Sequence, residues 1–217
     1  MRIIPREVVK RKPITWSRGI RKLQSKLVLD SLQRKVLIGT ILGDGCLIPN
    51  AYGKNYRLQI EQGVKEKKYV WWKYQVFKNW TLNSPKFQKR TNSWKFRTIS
   101  HPVLTKFYKL FYQDGKKIIP KNIDKLLMNQ ISLAVWFMDD GALGPKRQGI
   151  TLNTQNFTKE ENEQLRECLT KSFHLKTSLH KDKKYWRIYI FPASVSQFVK
   201  LIRKTVLPEF NYKFPFY

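Results

Sequence analysis

The chain carries the same short pattern twice. Leu37-Ile-Gly-Thr-Ile-Leu-Gly-Asp44-Gly45 and Leu133-Ala-Val-Trp-Phe-Met-Asp139-Asp140-Gly141 each run from an apolar stretch of helical spacing into an acid and then a glycine. Glycine ends a helix readily, so each half offers a carboxylate at the C-terminal end of an apolar helix. An ionised carboxylate is disfavoured there, because the aligned peptide dipoles already place partial negative charge at that end. Two acids so placed, in a chain where Lys and Arg outnumber Asp and Glu by 43 to 15, point to one shared site rather than to two unrelated helix ends.

The elements around the pattern repeat in the same order. Apolar residues at Leu29, Leu32, Val36, Leu37 and Ile41 predict a helix over 29–42, with Asp30 or Ser31 as its cap. Tyr56 to Glu61 alternates like a half-buried strand, Lys67 to Trp80 reads as an amphipathic helix, and 86–90 with 94–100 read as a hairpin around Thr91-Asn-Ser93. His101-Pro102 then opens a helix over 103–112. In the second half Met128 to Met138 is the motif helix and Gly149 to Asn153 the strand. A capping-box helix starts at Thr158-Lys-Glu-Glu161, the hairpin is 176–180 with 185–191, and Pro192-Ala-Ser194 opens the last helix. Pro102 and Pro192, and the pairs Ile119-Pro120 and Leu207-Pro208, fall at matching places. The implied fold is α+β, a pseudo-two-fold duplication of an αββαββα unit with two antiparallel sheets and the motif helices at the centre. Residues 29–122 and 123–217 are its halves within one compact domain, and 1–28 form a basic extension. Gly39 and Gly43, one turn apart, would let the partner helix approach closely; the second helix offers Ala134 for this.

A net charge of +28 exceeds what solubility requires and implies a polyanionic partner, with nucleic acid the first candidate. With 41% apolar residues the charge belongs to a folded body rather than to a disordered basic arm. No apolar run reaches the roughly 18 residues of a membrane span, so no membrane partner is expected. Cys46 and Cys168 match no metal-ligand spacing, and with His101, His174 and His180 they read as structural or surface residues.

Strand alternation divides the hairpins into an apolar and a basic face. Trp94, Phe96, Trp186, Ile188 and Ile190 point one way. Lys95, Arg97, Tyr185, Arg187 and Tyr189 point the other, joined by Lys86, Gln88 and Arg90 and by Lys176, Ser178 and His180. A basic β-ribbon suits the major groove of duplex DNA, where Arg, Lys and Gln read base edges. Arg57, Gln59, Arg147 and Asn153 complete the expected DNA-contacting set. The paired acids suit a hard divalent cation, Mg²⁺ with Mn²⁺ as a substitute, whose remaining ligands would be water and phosphate oxygen; metal-assisted phosphodiester hydrolysis is the chemistry expected.

The two runs LIGTILGDG and LAVWFMDDG resemble the paired signature of the LAGLIDADG homing endonucleases, in particular the single-chain type encoded inside group I introns of organelles. The stretches Ser132 to Gly141, Leu152 to Thr158, Lys117 to Pro120 and Leu207 to Lys213 fall in family order, so the resemblance covers Leu29 to the C-terminus. It implies that Asp44 and Asp140, the final acids of the motifs, are catalytic metal ligands and that Asp139, which matches Gly43, is not. Lys117 and Lys213 match basic residues near the scissile phosphates, and Gln62 and Gln155 match polar residues that order the attacking water. The expected protein is a monomer forming a basic saddle on a long asymmetric duplex and cutting both strands across the minor groove. Val135 and Met138 replace small residues of the pattern, which leaves the helix spacing open. Only four alanines, beside abundant Lys, Asn and Ile, fit synthesis inside a mitochondrion or chloroplast. The segment before Leu29 has nine Lys and Arg against Glu7 alone and is expected to lie on phosphates as an arm, with a targeting peptide as the alternative. A second function remains open: a maturase that binds its host intron RNA through the same fold.

Overall fold

A computed structural model of the chain describes residues 18–51 and 53–215. Helix α1 (Arg18–Gln24) precedes the motif helix α2 (Ser31–Leu42), and strands β1 (Cys46–Pro49) and β2 (Tyr56–Gly63) follow. Helix α3 (Lys67–Val76), strands β3 (Lys86–Gln88) and β4 (Ser93–Arg97), helix α4 (Pro102–Phe111) and the two-residue strands β5 (Tyr112–Gln113) and β6 (Lys116–Lys117) complete the first half. The short α5 (Ile123–Leu126) leads to the second motif helix α6 (Gln130–Asp140). Then come β7 (Gly141–Leu143), β8 (Ile150–Leu152), α7 (Lys159–Phe173), β9 (Thr177–Asp182), β10 (Tyr185–Ile190), α8 (Pro192–Ile202) and a 3-10 turn, Pro208–Lys213. Two four-stranded antiparallel sheets, ordered β1-β2-β4-β3 and β7-β8-β10-β9, show the duplication directly. No helix among the described residues is long and apolar enough to cross a membrane.

Caps set the motif helices. Asp30 and Gln33 form a reciprocal capping box at α2, and Asn129 accepts from the Ser132 amide at 2.8 Å to start α6. Gln33 is itself buried: its Nε2 donates to Val76 O and Asn79, and its Oε1 accepts from Trp80 Nε1, which ties the start of α2 to the end of α3.

α2 and α6 then lie side by side in the same direction. A Cβ added at Gly39 would come within 2.4 Å of Ser132 O and 2.7 Å of Val135 Cβ, and one at Gly43 within 2.4 Å of Asp139 Cβ. Ser132 Oγ also donates to Lys35 O across the seam at 2.7 Å. The facing residues on α6 are therefore Ser132, Val135 and Asp139 rather than Ala134; the glycines of α2 alone make room for a larger partner surface. The two helices and the inner faces of both sheets share one apolar core that includes Val36, Leu37, Ile41, Leu133, Trp136, Phe137, Leu58 and Ile188.

Three boundaries differ from the sequence reading. Strands β1 and β7, directly after the motifs, are only four and three residues long, too short for alternation to reveal. The strands of the first hairpin are shorter than expected, so Arg90 lies in the turn beyond β3, whereas β9 of the second runs on to Asp182. Residues 1–17 fall outside the described residues, and with them most of the expected arm. The last part of the 1–28 extension packs on the first half: Ile20 and Leu27 are buried, and Gln24 donates to Ser100 O at 2.6 Å.

Candidate active site

The motif helices deliver their acids to one end of the helix pair. Asp44 follows α2 and is exposed, with Oδ2 accepting from Gln62 Nε2 at 3.0 Å. Asp140 closes α6 and is more enclosed, with Oδ2 accepting from Trp136 Nε1 at 3.2 Å. Burial, then the charges of Asp139 and Asp44, push the Asp140 carboxyl up to about 8 against the opposing pull of Lys117. At neutral pH this group is therefore poised to take either a proton or a cation.

Lys117 and Lys213 hold the helix ends. Lys117 Nζ donates to Gly43 O at 2.5 Å, and Lys213 Nζ to Met138 O at 2.7 Å and Asp139 O at 3.4 Å. The last carbonyls of a helix have no intrahelical partner, so each ammonium satisfies the end that bears an acid. Burial lowers the pKa of both lysines, and the neighbouring aspartates oppose it.

Asp139 is tied down completely. Its side chain and that of Lys73 are both 0% exposed and form an ion pair at 2.9 Å. Its Oδ1 also accepts from Gln62 Nε2 at 3.1 Å, and its Oδ2 from the Asp44 amide at 3.3 Å. Lys73 lies over the Tyr69 ring at 4.2 Å, and Tyr69 Oη donates to Val135 O. Burial pushes the Asp139 carboxyl up, with Lys73 the chief opposing charge. The sequence reading placed Asp139 outside the ligand set, and the carboxylate is engaged by Lys73, Gln62 and the Asp44 amide. Lys73, Tyr69 and Trp136 were not foreseen. A signal for Lys73 existed: it shares the buried face of α3 with Tyr69 and Val70, next to Phe77 just past the helix, where an unpaired lysine is not tolerated.

The two glutamines are not equivalent. Gln62 lies on β2 and bridges Asp44 to Asp139. Cys46 pairs with Gln59 in the first sheet and Ala142 with Thr151 in the second. Extended along β2 and beyond β8, that register puts Thr154 at the place of Gln62, while Gln155 is one residue further on, in a turn. Thr154 is buried, and a one-residue slip faces the opposite way.

On the outer sheet faces Arg57, Gln59 and Arg97 lie on adjacent strands, with Gln59 directly opposite Arg97. Lys86 stands opposite Lys95, and Gln88 follows on β3. In the second sheet His180 is opposite Arg187, and Tyr185 and Lys176 are exposed. Several of these groups already have partners. Lys95 pairs with Glu61 at 2.8 Å and Arg187 with Asp182 at 2.5 Å, so the outer faces are not free of acid. Asn153 Nδ2 donates to Asp140 O at 2.9 Å, which makes it part of the α6 terminus rather than of the sheet surface. Tyr189, expected to face outward, is buried: it stacks on His180 at 4.5 Å and donates to Gln148 O, under the 144–149 loop that exposes Arg147.

The chemistry of the donor set fits a hard cation with an incomplete protein shell. Asp44 and Asp140 each have one carboxylate oxygen without a hydrogen bond to protein, and no group of three or more His, Cys, Asp or Glu among the described residues forms a closed metal cage. Mg²⁺ commonly uses one or two carboxylates and takes its other oxygens from water and phosphate.

Comparison with known proteins follows the same lines. The chain is 32% identical over 200 residues to the probable intron-encoded endonuclease 1 of Wickerhamomyces canadensis, covering 87% of this chain and 86% of that one. It is 29% identical over 197 residues to the cytochrome b mRNA maturase bI2 of Debaryomyces hansenii, covering 85% and 74%. The homing endonuclease I-WcaI bound to its DNA recognition sequence superposes with a TM-score of 0.83 at 29% identity, over 94% of this chain and 95% of that one. A variant of I-DmoI, solved with its target DNA in the presence of Mn, shares the fold at 15% identity and a TM-score of 0.52, over 81% and 96%. The sequence pattern of the LAGLIDADG DNA endonuclease family matches residues 34–198, a span that contains both acids. Paired motif helices, two sheets and a sequence match over most of its length place this chain in the LAGLIDADG DNA endonuclease family.

Proposed function

We propose that the protein is a homing endonuclease that binds a long, asymmetric duplex as a monomer and hydrolyses one phosphodiester in each strand, promoting insertion of the group I intron that encodes it. The observation that carries this reading is the pair of acids at one end of two touching, parallel helices. Each half would read about one turn of major groove through its sheet, so that the two form a basic saddle with the acids over the minor groove between them. Residues 29–122 and 123–217 serve as the halves, and synthesis inside an organelle fits the composition.

Asp44 and Asp140 would hold a divalent cation, Mg²⁺ or Mn²⁺, which supplies charge neutralisation at the phosphate and a lowered water pKa. The remaining tasks fall to the chain. Gln62, already bonded to Asp44, orients polar groups near that acid. Lys117 and Lys213 fix the helix ends and place positive charge beside the developing phosphorane. Outer-face cations, chiefly Arg57, Arg97, Lys86, Lys176 and Arg147, neutralise phosphates or meet base edges.

The decisive experiment is strand-resolved cleavage of duplex spanning the intron insertion site, with Mg²⁺ and with EDTA. Metal-dependent cutting that is lost in Asp44→Asn and in Asp140→Asn supports the reading, and full cutting by either variant removes it. The maturase relative favours a second reading, in which the same fold binds host intron RNA. Splicing stimulated by the Asp44→Asn/Asp140→Asn double variant, with no DNA cut by the parent, would select it.

A further inference from the structure

Asp139 reaches out of its own half. It belongs to the second motif helix, yet every side chain it touches by hydrogen bond or ion pair belongs to the first half: Lys73 of α3, Gln62 of β2 and the Asp44 amide. In the opposite direction no carboxylate crosses among the described residues, and the first half returns the Tyr69 hydroxyl, to Val135 O. Gly43 holds the corresponding place on α2, and a side chain there would collide with Asp139 at 2.4 Å. The seam has room for one carboxylate, and α6 supplies it. Asp44 is consequently held twice, through its amide by Asp139 and through its carboxylate by Gln62, whose amide group bonds to Asp139 as well. Among the described residues the hydrogen bonds of Asp140 stay within its own half: Trp136 on its carboxylate and Asn153 on its carbonyl.

We infer that Asp139, locked by the buried Lys73 ammonium, is a positioning residue for Asp44, whose amide and glutamine partner it holds by hydrogen bonds that Asp140 does not receive, so that the enzyme's two strand cleavages depend on unequal supports. This rests on the reading of Asp44 and Asp140 as the acids of the DNA-cleaving site. Lys73 has no route to solvent and touches no carboxylate other than Asp139, so its part is to fix the rotamer of Asp139. Asp139 in turn fixes Gln62 and the end of α2. A purely structural pair would affect both strand cleavages alike, because both acids ride on the same helix pair. A positioning pair would not.

The test uses the full chain and its target duplex labelled on each strand. Lys73→Met/Asp139→Leu replaces the ion pair by apolar groups of similar shape, and Asp139→Asn keeps the shape where the double variant fails to fold. The ratio of the two nicking rates is expected to shift by tenfold or more, in the same direction as for Gln62→Ala and opposite to Trp136→Phe. In the metal-free protein the Asp44 amide cross-peak in a ¹⁵N–¹H spectrum is expected to move and to exchange faster with solvent, while that of Asn153, whose amide donates to the Asp140 carbonyl at 2.9 Å, stays in place. Metal-free affinity for the duplex should remain within twofold. Equal slowing of both strands, or an unchanged Asp44 amide, overturns the inference. If Asp44→Asn itself cuts normally, the fault lies with the site assignment, not with the positioning pair.

Discussion

The Asp44 end of the helix pair is open and braced in part by the opposite half, whereas the Asp140 end is enclosed and braced from within its own half. Asp44 takes its support from β2 and from the opposite half, and Asp140 from Trp136, one turn back. The two ends descend from one repeated pattern and carry the same acid on the same helix terminus. Their environments differ at one position, glycine in the first half and aspartate in the second, where Asp139 fills the space beside Gly43 and pairs with the buried Lys73. Duplication conserved the backbone and left the electrostatics free to diverge.

Replacing either acid by asparagine tests the feature the two ends share, and should produce the largest effect. Cleavage should fall by about 10² to 10³ or more, the range seen when a preorganised electrostatic group is removed, while duplex binding is kept or tightened. Single-turnover cleavage and a filter-binding assay separate these outcomes.

Lys73→Met alone sharpens the contrast. It leaves a buried carboxylate without its cation and should destabilise the protein by about 3–5 kcal/mol in denaturant unfolding, whereas Asn153→Ala at the other end removes one hydrogen bond to the Asp140 carbonyl and should cost about 1 kcal/mol. Similar losses from both would erase the distinction drawn here.

The seam itself should respond to Gly39→Ala, whose added methyl would press on Ser132 O. Such overpacking typically costs about 1–3 kcal/mol, and cleavage should decline with stability because both acids shift together. Loss of cleavage at only one strand would be inconsistent with a common seam.

Proton linkage separates the acids more gently. The Asp140 carboxyl titrates near 8 when folded and in the ordinary carboxylate range when unfolded, so between these values the native state binds the extra proton. Its contribution to stability is complete below the unfolded pKa and is lost as pH rises through about 8. Metal-free Asp140→Asn should therefore lose less stability from pH 5 to pH 8.5 than the parent in thermal melts. A parallel decline would contradict the enclosed character of that end.

The smallest effects concern the outer faces. Arg97→Ala should reduce the slope of log affinity against log salt by about 1, as expected for one lost phosphate contact. Lys95→Ala should change it less, because Glu61 already neutralises Lys95 and would be left unpaired. Equal changes would mean that the ion pair opens on DNA.

The repeated pattern revealed the fold class and the two acids because each half reports independently on the same helix and the same terminus. The capping box at Thr158 was legible because its spacing is fixed by local hydrogen bonds, whereas at the first motif helix the sequence left the cap between Asp30 and Ser31, and the structure selects Asp30 with Gln33. What escaped detection depends on pairing between distant segments. Strands β1 and β7 are too short to show a period, and the Thr154 register is set by ladder bonds that no local pattern encodes. The spent hydrogen bonds of Asn153, Lys95 and Arg187 are likewise tertiary. Lys73 was visible as a charge on an apolar stripe, but its partner lies on the other motif helix.

The close contact at Gly43 also bears on how such a chain can recombine. Two copies of the first half would meet glycine to glycine, leaving the axis without the carboxylate that Lys73 requires. Two copies of the second half would thrust two Asp139 side chains into a space that admits one. Neither half is then a good partner for itself. The division of labour at one position makes the seam directional: glycine from one half and aspartate from the other fit together, and neither fits its own copy, so the two halves are not interchangeable pieces.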